Sequence, residues 1–539
     1  MIQANAKKKI VLFLPHRADP TRGEAFSADL LPLELLQIAS GPVADGHEVV
    51  LIDAMIEDDY IAKVLEACDG ALCFASSCIL GYQVYDGFVV AQAVRERHPH
   101  LPIVWGGWFP SVTPELYLGA GIADAVGIGQ GELTFRDVVR ALAAGEPLDS
   151  VPGLALWRDG RVVLTEHRPV VGFEEFERVP WELLEYERYA TKQTTPTKLK
   201  VRHRFPLPGH WTPQHPPRGF SYFSSFGCPE PCTFCCSPAL TGRRWKAIPG
   251  KQLAEDIAEL QQRFKFDVLR FQDANFGVAE KRSKEFCDAL VDLKVPIHWN
   301  GTIEIETIMR YSEETLDALE ASKCHLLWLG AEAGTAEMQE RIKKKIQLHH
   351  IPQAIGRLAK RNIVPGTFWI IGYPGETQES MEETLRMAAI IKHMYPIAGS
   401  EVYPFRPIPG TEDFTQAVKD GYVPPKDFHE WGKCFEYKYN AHNTPLPETV
   451  RETWRRYNNT AAIYDMHVQE GWQWIRRTLS RMAGWRLRTG NYTLPVEQKV
   501  FDVYVRLSGQ RQRGAEDYSE DYQQLQPETQ AAKMAAMSN

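Results

Sequence analysis

Short apolar segments alternate with helical segments along the first 150 residues, and this alternation limits the fold more than any other feature of the chain. Strands alternating with helices form a parallel sheet that is covered on both faces. We therefore expect residues 1–150 to be a Rossmann-like α/β domain. The predicted strands are Lys9–Leu14, His47–Ile52, Gly70–Ala75, Pro102–Trp105 and Ala123–Gly127, and the predicted helices are Leu31–Ala44, Tyr82–Arg97 and one that opens at Glu132.

Such sheets bind ligands at the carboxyl ends of their strands. The segments that follow these strands are rich in Gly and Ser, which let the backbone approach a bulky ligand closely. No G-x-G-x-x-G follows the first strand, so a nicotinamide cofactor is disfavoured. The same residues would also make simple turns, and spacing alone leaves ligand binding open. The candidate binding residues at this edge are Ser76, Ser77, Gly106, Gly107, Gly129, Gly131 and Glu132.

Four of the ten cysteines fall within the nine residues from Cys228 to Cys236. Cys228, Cys232 and Cys235 have C-x3-C-x2-C spacing, so all three thiolates can turn toward one metal centre. A structural zinc site normally has a fourth ligand nearby, but the next cysteine after Cys236 is Cys287. Three thiolates suit a four-iron, four-sulfur cluster that leaves one iron open. The spacing favours such a cluster, with zinc as the alternative.

The C-x3-C-x2-C motif, with Phe234 just before its third cysteine, resembles that of the radical S-adenosylmethionine (SAM) superfamily. A Rossmann-like segment ahead of the motif resembles the cobalamin-binding subclass, and the resemblance covers about residues 8–425. It implies a partial (β/α)6 barrel in which Cys228, Cys232 and Cys235 hold a [4Fe–4S] cluster, with Phe234 at the SAM site. Cys236 is not an expected ligand, because adjacent cysteines rarely point the same way.

Two segments beyond the cysteines resemble strands of the same barrel. Phe271–Phe276 resembles the second barrel strand with its D-x-N-F end, which implies that Asp273 lies at the SAM site. Leu329–Gly334 resembles the strand whose glutamate, here Glu332, contacts the amino group of SAM. Asp273 alone would also suit a loop cap, whereas a buried Glu332 without a partner would be costly.

Two further segments complete the resemblance. Ile370–Thr377 resembles the G-x-P-G-E-T turn near the adenine of SAM, which places Gly372 and Pro374 there. These residues form a turn whatever else they do. Pro407–Thr411 resembles the closing P-G-T segment.

The resemblance implies three cofactors: a [4Fe–4S] cluster, SAM and cobalamin. It implies methylation of an unactivated carbon of a small, lipid-like or tetrapyrrole substrate, through a 5′-deoxyadenosyl radical and methylcobalamin. The alternative is an oxidative cyclase or ring-rearranging enzyme of the same architecture that transfers no methyl group. Either reaction implies an external electron donor such as a flavodoxin or ferredoxin.

One departure concerns the cobalt ligand. Enzymes that ligate cobalt through histidine carry D-x-H-x-x-G after the first strand, but the loop here, Pro15–Gly23, lacks the motif. Asp45-Gly46-His47 matches only a fragment of it, ahead of the second strand. His16 remains a candidate near the ligand.

Four regions follow from these patterns: the domain at 1–150, a linker at 151–215, the barrel at 216–425 and a helical region at 426–539. The linker contains a predicted hairpin at 151–161 and a long loop from Thr194 to Pro217. In the last region, Trp472–Arg488 forms a basic, aromatic, amphipathic helix. Such a helix can lie on a membrane surface, but packing on the barrel with a solvated basic face is the favoured interpretation.

The composition excludes several classes of protein. The net charge of −8 argues against a nucleic-acid-binding protein, which is usually basic. No apolar run reaches the ~18 residues of a membrane span, and the N-terminus does not resemble a signal peptide. We expect a cytoplasmic enzyme with a small-molecule substrate and a polar tail from Gly509 onward.

Overall fold

The computed structural model describes residues 7–17, 31–192, 217–396, 398–434, 442–464, 473–493, 495–500 and 503. Part of the Pro15–Gly23 loop, nearly all of the Thr194–Pro217 loop and the tail from Gly509 lie outside these ranges. Among the described residues, no helix is both long and apolar enough to cross a membrane.

The first sheet and its helices come from residues 9–164. Strand and helix periodicity in the sequence predicted most of these elements to within three residues. They are β1 Lys9–Leu14, α1 Leu33–Ala44, β2 Glu48–Asp53, α2 Tyr60–Ala67, β3 Cys73–Ser77, α3 Tyr82–Arg97, β4 Ile103–Gly106, α4 Trp108–Val112, α5 Pro114–Gly119, β5 Ala125–Gly127, α6 Glu132–Ala144, β6 Leu154–Arg158 and β7 Arg161–Leu164.

The strand order in this sheet is β2-β1-β3-β4-β5-β6-β7. The five strands β1 to β5 run parallel. The order 2-1-3-4-5 is that of flavodoxin-like folds, which bind ligands where the strand order reverses, beyond the carboxyl ends of β1 and β3. The topology therefore points to the edge that the Gly- and Ser-rich loops form.

Both faces of this sheet are buried. Ile10, Leu12 and Leu14 of β1 pack under α1 and α6, and Val11 and Phe13 pack on the opposite face. Burial on both sides explains why β1 is continuously apolar rather than alternating.

The hairpin at 151–161, which the sequence places in the linker, belongs to the first sheet instead. β6 pairs antiparallel with β5, and β7 pairs with β6. Leu154, Ala155 and Leu156 are fully buried against the sheet core. Periodicity identifies a hairpin, but it does not say which edge the hairpin extends.

The second sheet has six parallel strands in the order β15-β14-β13-β12-β11-β8, the partial (β/α)6 arrangement that the resemblance implies. A two-stranded ribbon, β9 with β10, flanks the cysteines. The elements are α7 Tyr186–Lys192, β8 Gly219–Tyr222, β9 Ser225–Gly227, α8 Ser237–Thr241, β10 Trp245–Ala247, α9 Gly250–Phe264, β11 Val268–Phe271, α10 Glu280–Asp292, β12 His298–Ile303, α11 Ile305–Arg310, α12 Glu313–Ala321, β13 Cys324–Glu332, α13 Ala336–Arg341, α14 His350–Ala359, β14 Val364–Ile371, α15 Gln378–Met394 and β15 Gly399–Pro404.

The last described elements are helices, as expected for residues 426–539. Phe428 stacks on Phe88 of the first sheet's α3, with ring centroids 4.5 Å apart. Trp454 donates from Nε1 to the carbonyl oxygen of Val402 in β15 at 2.8 Å. The C-terminal helices thus contact both sheets. They are α16 Glu412–Lys419, α17 Phe428–Gly432, α18 Glu448–Tyr464 and α19 Gln473–Thr489.

Candidate active site between the two sheets

The ligand-binding edge of the first sheet lies against the cysteine loop of the barrel. A Cβ atom on Gly129 would lie 3.4 Å from the carbonyl oxygen of Leu240 in α8. The Trp108 side chain, at the start of α4, lies beside the thiol of Cys236. Ligands held by the two sheets would therefore meet in one space.

The cysteine loop is tied to the barrel at Thr233. Its backbone N–H donates to the Ile342 carbonyl at 3.1 Å, and its hydroxyl donates to Asp413 Oδ2 at 2.9 Å. The Asp413 N–H returns a hydrogen bond to the Thr233 carbonyl at 3.1 Å. Asp413 also pairs with Arg341. These contacts fix the loop between its second and third cysteines.

The three candidate ligands lie within this loop. Cys228 and Cys232 are buried, and Cys235 is half-buried. Burial raises the pKa of Cys228 to about 11 and also raises that of Cys232, whereas a hydrogen bond from Cys236 lowers the pKa of Cys235 to about 7. The positive charge of Lys344 favours the thiolate form of all three, which is the form that binds metal.

A single-ion site is not preformed. In the part of the chain that the structure describes, no three His, Cys, Asp or Glu side chains converge on one point that could hold a metal ion. The thiolates of a four-iron cluster bind separate iron atoms, so convergence on one point is not required of them.

Glu332 ends β13 beside this loop and is part of a buried charge cluster. Lys344 Nζ lies 3.2 Å from Glu332 Oε1 and 2.8 Å from Glu304 Oε2. Glu332 and Lys344 are only 7% and 6% exposed. Two carboxylates around one ammonium leave an excess negative charge, and a buried charge needs a partner. The amino group of SAM is a cation that fits this need.

The backbone at Glu332 is held in an uncommon conformation. Its φ is +62°, in the left-handed region that non-glycine residues seldom adopt. The register between β13 and β14 also shifts between Gly330 and Glu332. Strain of this kind concentrates at functional sites.

The turn after β14 closes over the same space. Gly372 has φ +87°, and both Gly372 N–H and Tyr373 N–H donate to Glu376 Oε2. The Tyr373 ring packs against Phe234 of the cysteine loop, with ring centroids 5.7 Å apart. The turn with Pro374 therefore lies next to Phe234.

Two buried polar atoms near Glu332 have no hydrogen-bond partner among the described residues. Gln339 donates through Nε2 to the carbonyls of Ala331 and Ala333, both at 2.6 Å, which leaves its Oε1 unpaired. The Tyr373 hydroxyl is also unpaired, and Tyr373 is 2% exposed. Buried polar atoms are normally paired, so these two atoms fit a polar ligand such as SAM.

Asp273, an expected SAM contact, is also held by hydrogen bonds from the protein. Its carboxylate accepts hydrogen bonds from Ser224 N–H at 2.7 Å, Ser224 Oγ at 2.5 Å and Ser225 Oγ at 2.7 Å. Arg282 bonds the same Ser224 hydroxyl at 2.6 Å. We propose that Asp273 positions β9 and the first cysteine that follows it.

The candidate residues on the first sheet differ in their contacts. Ser76 donates to the Phe13 carbonyl inside the sheet at 3.0 Å, so its hydroxyl is already used. Gly107 has φ +89°, and a Cβ there would lie 2.5 Å from Ser77 Oγ. Gly106 ends β4 and Gly131 caps α6. The backbone of this edge is therefore tightly packed at Gly107.

One polar atom at this edge also lacks a partner. Glu132 Oε2 is buried and unpaired in the described structure, whereas the Trp108 side chain already lies at the Cys236 thiol. Burial raises the pKa of Glu132 to about 7. The amide-bearing side chains of cobalamin offer N–H donors, so Glu132 fits that cofactor.

His16 lies at the end of β1, beside the reversal point of the strand order. Its backbone N–H donates to Asp86 Oδ2 at 2.7 Å, and its ring contacts the edge of Tyr82.

The sequence missed several members of the site. Lys344 sits in a run of three lysines that looks like solvated surface, and Gln339 carries no motif. Tyr373 occupies the variable position of the G-x-P-G-E-T turn, and Trp108 follows the Gly106-Gly107 pair directly. For Tyr373 and Trp108, the only signal in the sequence was their position beside a motif.

Comparison with known families agrees with this geometry. The profile of the radical SAM superfamily matches residues 222–388. The profile of the B12-binding domain matches residues 23–139. The two matches fall on the two sheets described above.

Several curated proteins are similar to the chain. An uncharacterized methyltransferase of Pyrococcus horikoshii is 26% identical over 72% of this chain and 78% of its own length. An anaerobic magnesium-protoporphyrin IX monomethyl ester cyclase of Synechocystis is 26% identical over 68% of each chain. A hopanoid C-3 methylase of Methylococcus capsulatus is 23% identical over 90% of this chain and 86% of its own length.

Solved structures share the fold. The cobalamin-dependent SAM radical enzyme OxsB, with aqua-cobalamin and SAM bound, has a TM-score of 0.68 at 14% identity, over 99% of this chain and 81% of that one. The radical SAM methyltransferase TsrM of Kitasatospora setae, with cobalamin and a [4Fe–4S] cluster bound, has a TM-score of 0.62 at 13% identity, over 90% of this chain and 100% of that one.

The two profile matches, the paired sheets and the unpartnered polar atoms lead to one assignment. The cofactors of the protein are a [4Fe–4S] cluster, SAM and cobalamin. The chain belongs to the radical SAM enzymes that carry a B12-binding domain.

Proposed function

We propose that this enzyme is a cobalamin-dependent radical SAM methyltransferase that methylates an unactivated carbon of a small, lipid-like or tetrapyrrole substrate. One observation carries the proposal: the ligand-binding edge of the first sheet faces the cysteine loop of the barrel, with Trp108 beside Cys236. When bound, the cluster with SAM supplies a carbon-centred radical and cobalamin supplies a methyl group. Because the two edges face each other, the cluster with SAM and the cobalamin would both reach one substrate.

The residues take distinct roles in this proposal. Cys228, Cys232 and Cys235 hold the cluster, and an external flavodoxin or ferredoxin supplies its electron. Glu332 binds the amino group of SAM while Lys344 limits the repulsion from Glu304. These charges orient SAM and keep water out of a buried site.

Other groups around the site would contact the rest of SAM and the cobalamin. Tyr373 Oη and Gln339 Oε1 offer SAM a donor and an acceptor that the protein leaves unpaired. Phe234 and the Gly372–Pro374 turn bound the same space. On the first sheet, Glu132 offers a polar contact to cobalamin.

Similarity to known enzymes supports methyl transfer and keeps one alternative. Methyltransferases from Pyrococcus horikoshii and Methylococcus capsulatus match most of the chain. The Synechocystis cyclase matches as well, so oxidative cyclisation without methyl transfer is the second candidate.

Gly107→Ala tests the role of the first sheet. The new Cβ would meet Ser77 Oγ at 2.5 Å and the Cys78 carbonyl at 2.6 Å, at φ +89°. Strain of 1–3 kcal/mol at the binding edge is expected to weaken cobalamin binding by about tenfold or more. We expect the variant to keep its cluster and to form 5′-deoxyadenosine, but to lose most formation of S-adenosylhomocysteine.

Gly121→Ala is the matched control. Gly121 also has positive φ, at +71°, but among the described residues no atom beyond its chain neighbours lies within 4 Å of the added Cβ. This control should bind cobalamin like the unaltered enzyme. Undiminished cobalamin binding and S-adenosylhomocysteine formation in Gly107→Ala would contradict the placement of cobalamin on this edge.

A further inference from the structure

Helix α19, Gln473–Thr489, combines a buried face with a basic, aromatic outer face. Leu479, Ala483 and Leu487 are buried, at 4%, 0% and 1% exposure. The inward Arg486 pairs with Glu497, a carboxylate that is fully buried. These contacts hold the helix in the fold and fix which side faces outward.

The outward face carries exposed apolar groups. Trp474 is 72% exposed, Trp485 45% and Met482 37%. Trp474 and Trp485 are eleven residues apart, which is close to three helical turns and puts them on the same side. Large exposed side chains grouped on one face mark an interaction surface rather than chance exposure.

The same face is cationic. Arg477, Arg481 and Arg488 are exposed and interleave with the tryptophans at helical spacing. The helix contains no Asp or Glu, although the whole chain has a net charge of −8. An anionic surface would therefore attract this face and repel the remainder of the protein, which fixes one orientation.

We propose that α19 docks the enzyme on an anionic lipid bilayer, with Trp474 and Trp485 at the headgroup level. Tryptophan prefers the membrane interface, where its ring is buried and its N–H stays hydrated. Basic residues add about 1 kcal/mol each near an anionic leaflet. A nucleic acid would use the arginines but has no apolar layer for Met482.

Vesicle sedimentation with the full-length protein tests the proposal. We expect binding to phosphatidylglycerol-rich vesicles at low salt, weaker binding at high salt and little binding to pure phosphatidylcholine. Arg481→Ser with Arg488→Ser should weaken binding by about tenfold to thirtyfold. Trp474→Ser with Trp485→Ser should weaken it by at least about tenfold.

Two matched controls remove an exposed tryptophan and two exposed positive charges elsewhere. Trp157→Ser alters another exposed tryptophan, and Lys251→Ser with Lys281→Ser removes two exposed charges. Both should bind vesicles like the unaltered protein.

Four results would overturn the proposal. They are no vesicle binding, equal losses in the controls, and binding that depends on the arginines but not the tryptophans, as for any polyanion. The fourth is a dimer in light scattering that the tryptophan variant alone dissociates, which would make the face an interface between two copies.

Discussion

Replacing Cys232 with alanine is expected to remove the brown iron–sulfur absorbance and to reduce cleavage of SAM to background. Three thiolates are the minimum that holds a four-iron cluster with one open iron. Cys232 is the middle one of the three candidate ligands in the sequence. The next residue, Thr233, donates a hydrogen bond to Asp413 and so holds the loop in place. Iron content, the visible spectrum and 5′-deoxyadenosine formation are measured on anaerobically reconstituted protein.

Cys236→Ala is the control for this experiment, because Cys236 is one residue beyond the third candidate ligand and is also half-buried. It should keep a full cluster and cleave SAM. A Cys232→Ala enzyme with normal iron content and turnover, or a Cys236→Ala enzyme without a cluster, would refute the ligand assignment.

Lys344→Met is expected to lower the free energy of unfolding by about 3–5 kcal/mol, because it leaves the buried Glu332 and the half-buried Glu304 without their counter-charge. Lys344 Nζ lies 3.2 Å from Glu332 Oε1 and 2.8 Å from Glu304 Oε2. Denaturant unfolding of the cofactor-free protein measures the loss. Excess SAM should restore part of the lost free energy of unfolding if its amino group pairs with Glu332 in place of Lys344.

The neighbouring Lys343 provides a matched comparison. It also pairs with a carboxylate, Glu412, but both side chains are about half exposed, at 48% and 62%. Exposed ion pairs contribute about 0–1 kcal/mol, so Lys343→Met should have little effect. Equal losses in the two variants would mean that the buried charge cluster does not stabilise the site.

The sequence predicted elements well where a local signal marks them. β1 at Lys9–Leu14 and α3 at Tyr82–Arg97 have the predicted bounds. A strand buried on both faces is continuously apolar, and a helix between turn residues has marked ends. Such local signals do not depend on the rest of the chain.

Long-range contacts could not be predicted in this way. No periodicity shows that the hairpin at Leu154–Leu164 extends the first sheet, or that Phe428 stacks on Phe88. Lys344 looked like surface because only the fold brings it to Glu332. The contacts of Asp273 with Ser224 and Ser225 could not be predicted for the same reason.

The most direct test of the central claim is the ratio of two products. Anaerobically reconstituted enzyme with cobalamin, a reductant and extract from the host cell is compared with a control without extract. We expect 5′-deoxyadenosine and S-adenosylhomocysteine to rise together, near one to one, as radical methyl transfer requires. A rise in 5′-deoxyadenosine alone would contradict methyl transfer and favour the cyclising reaction.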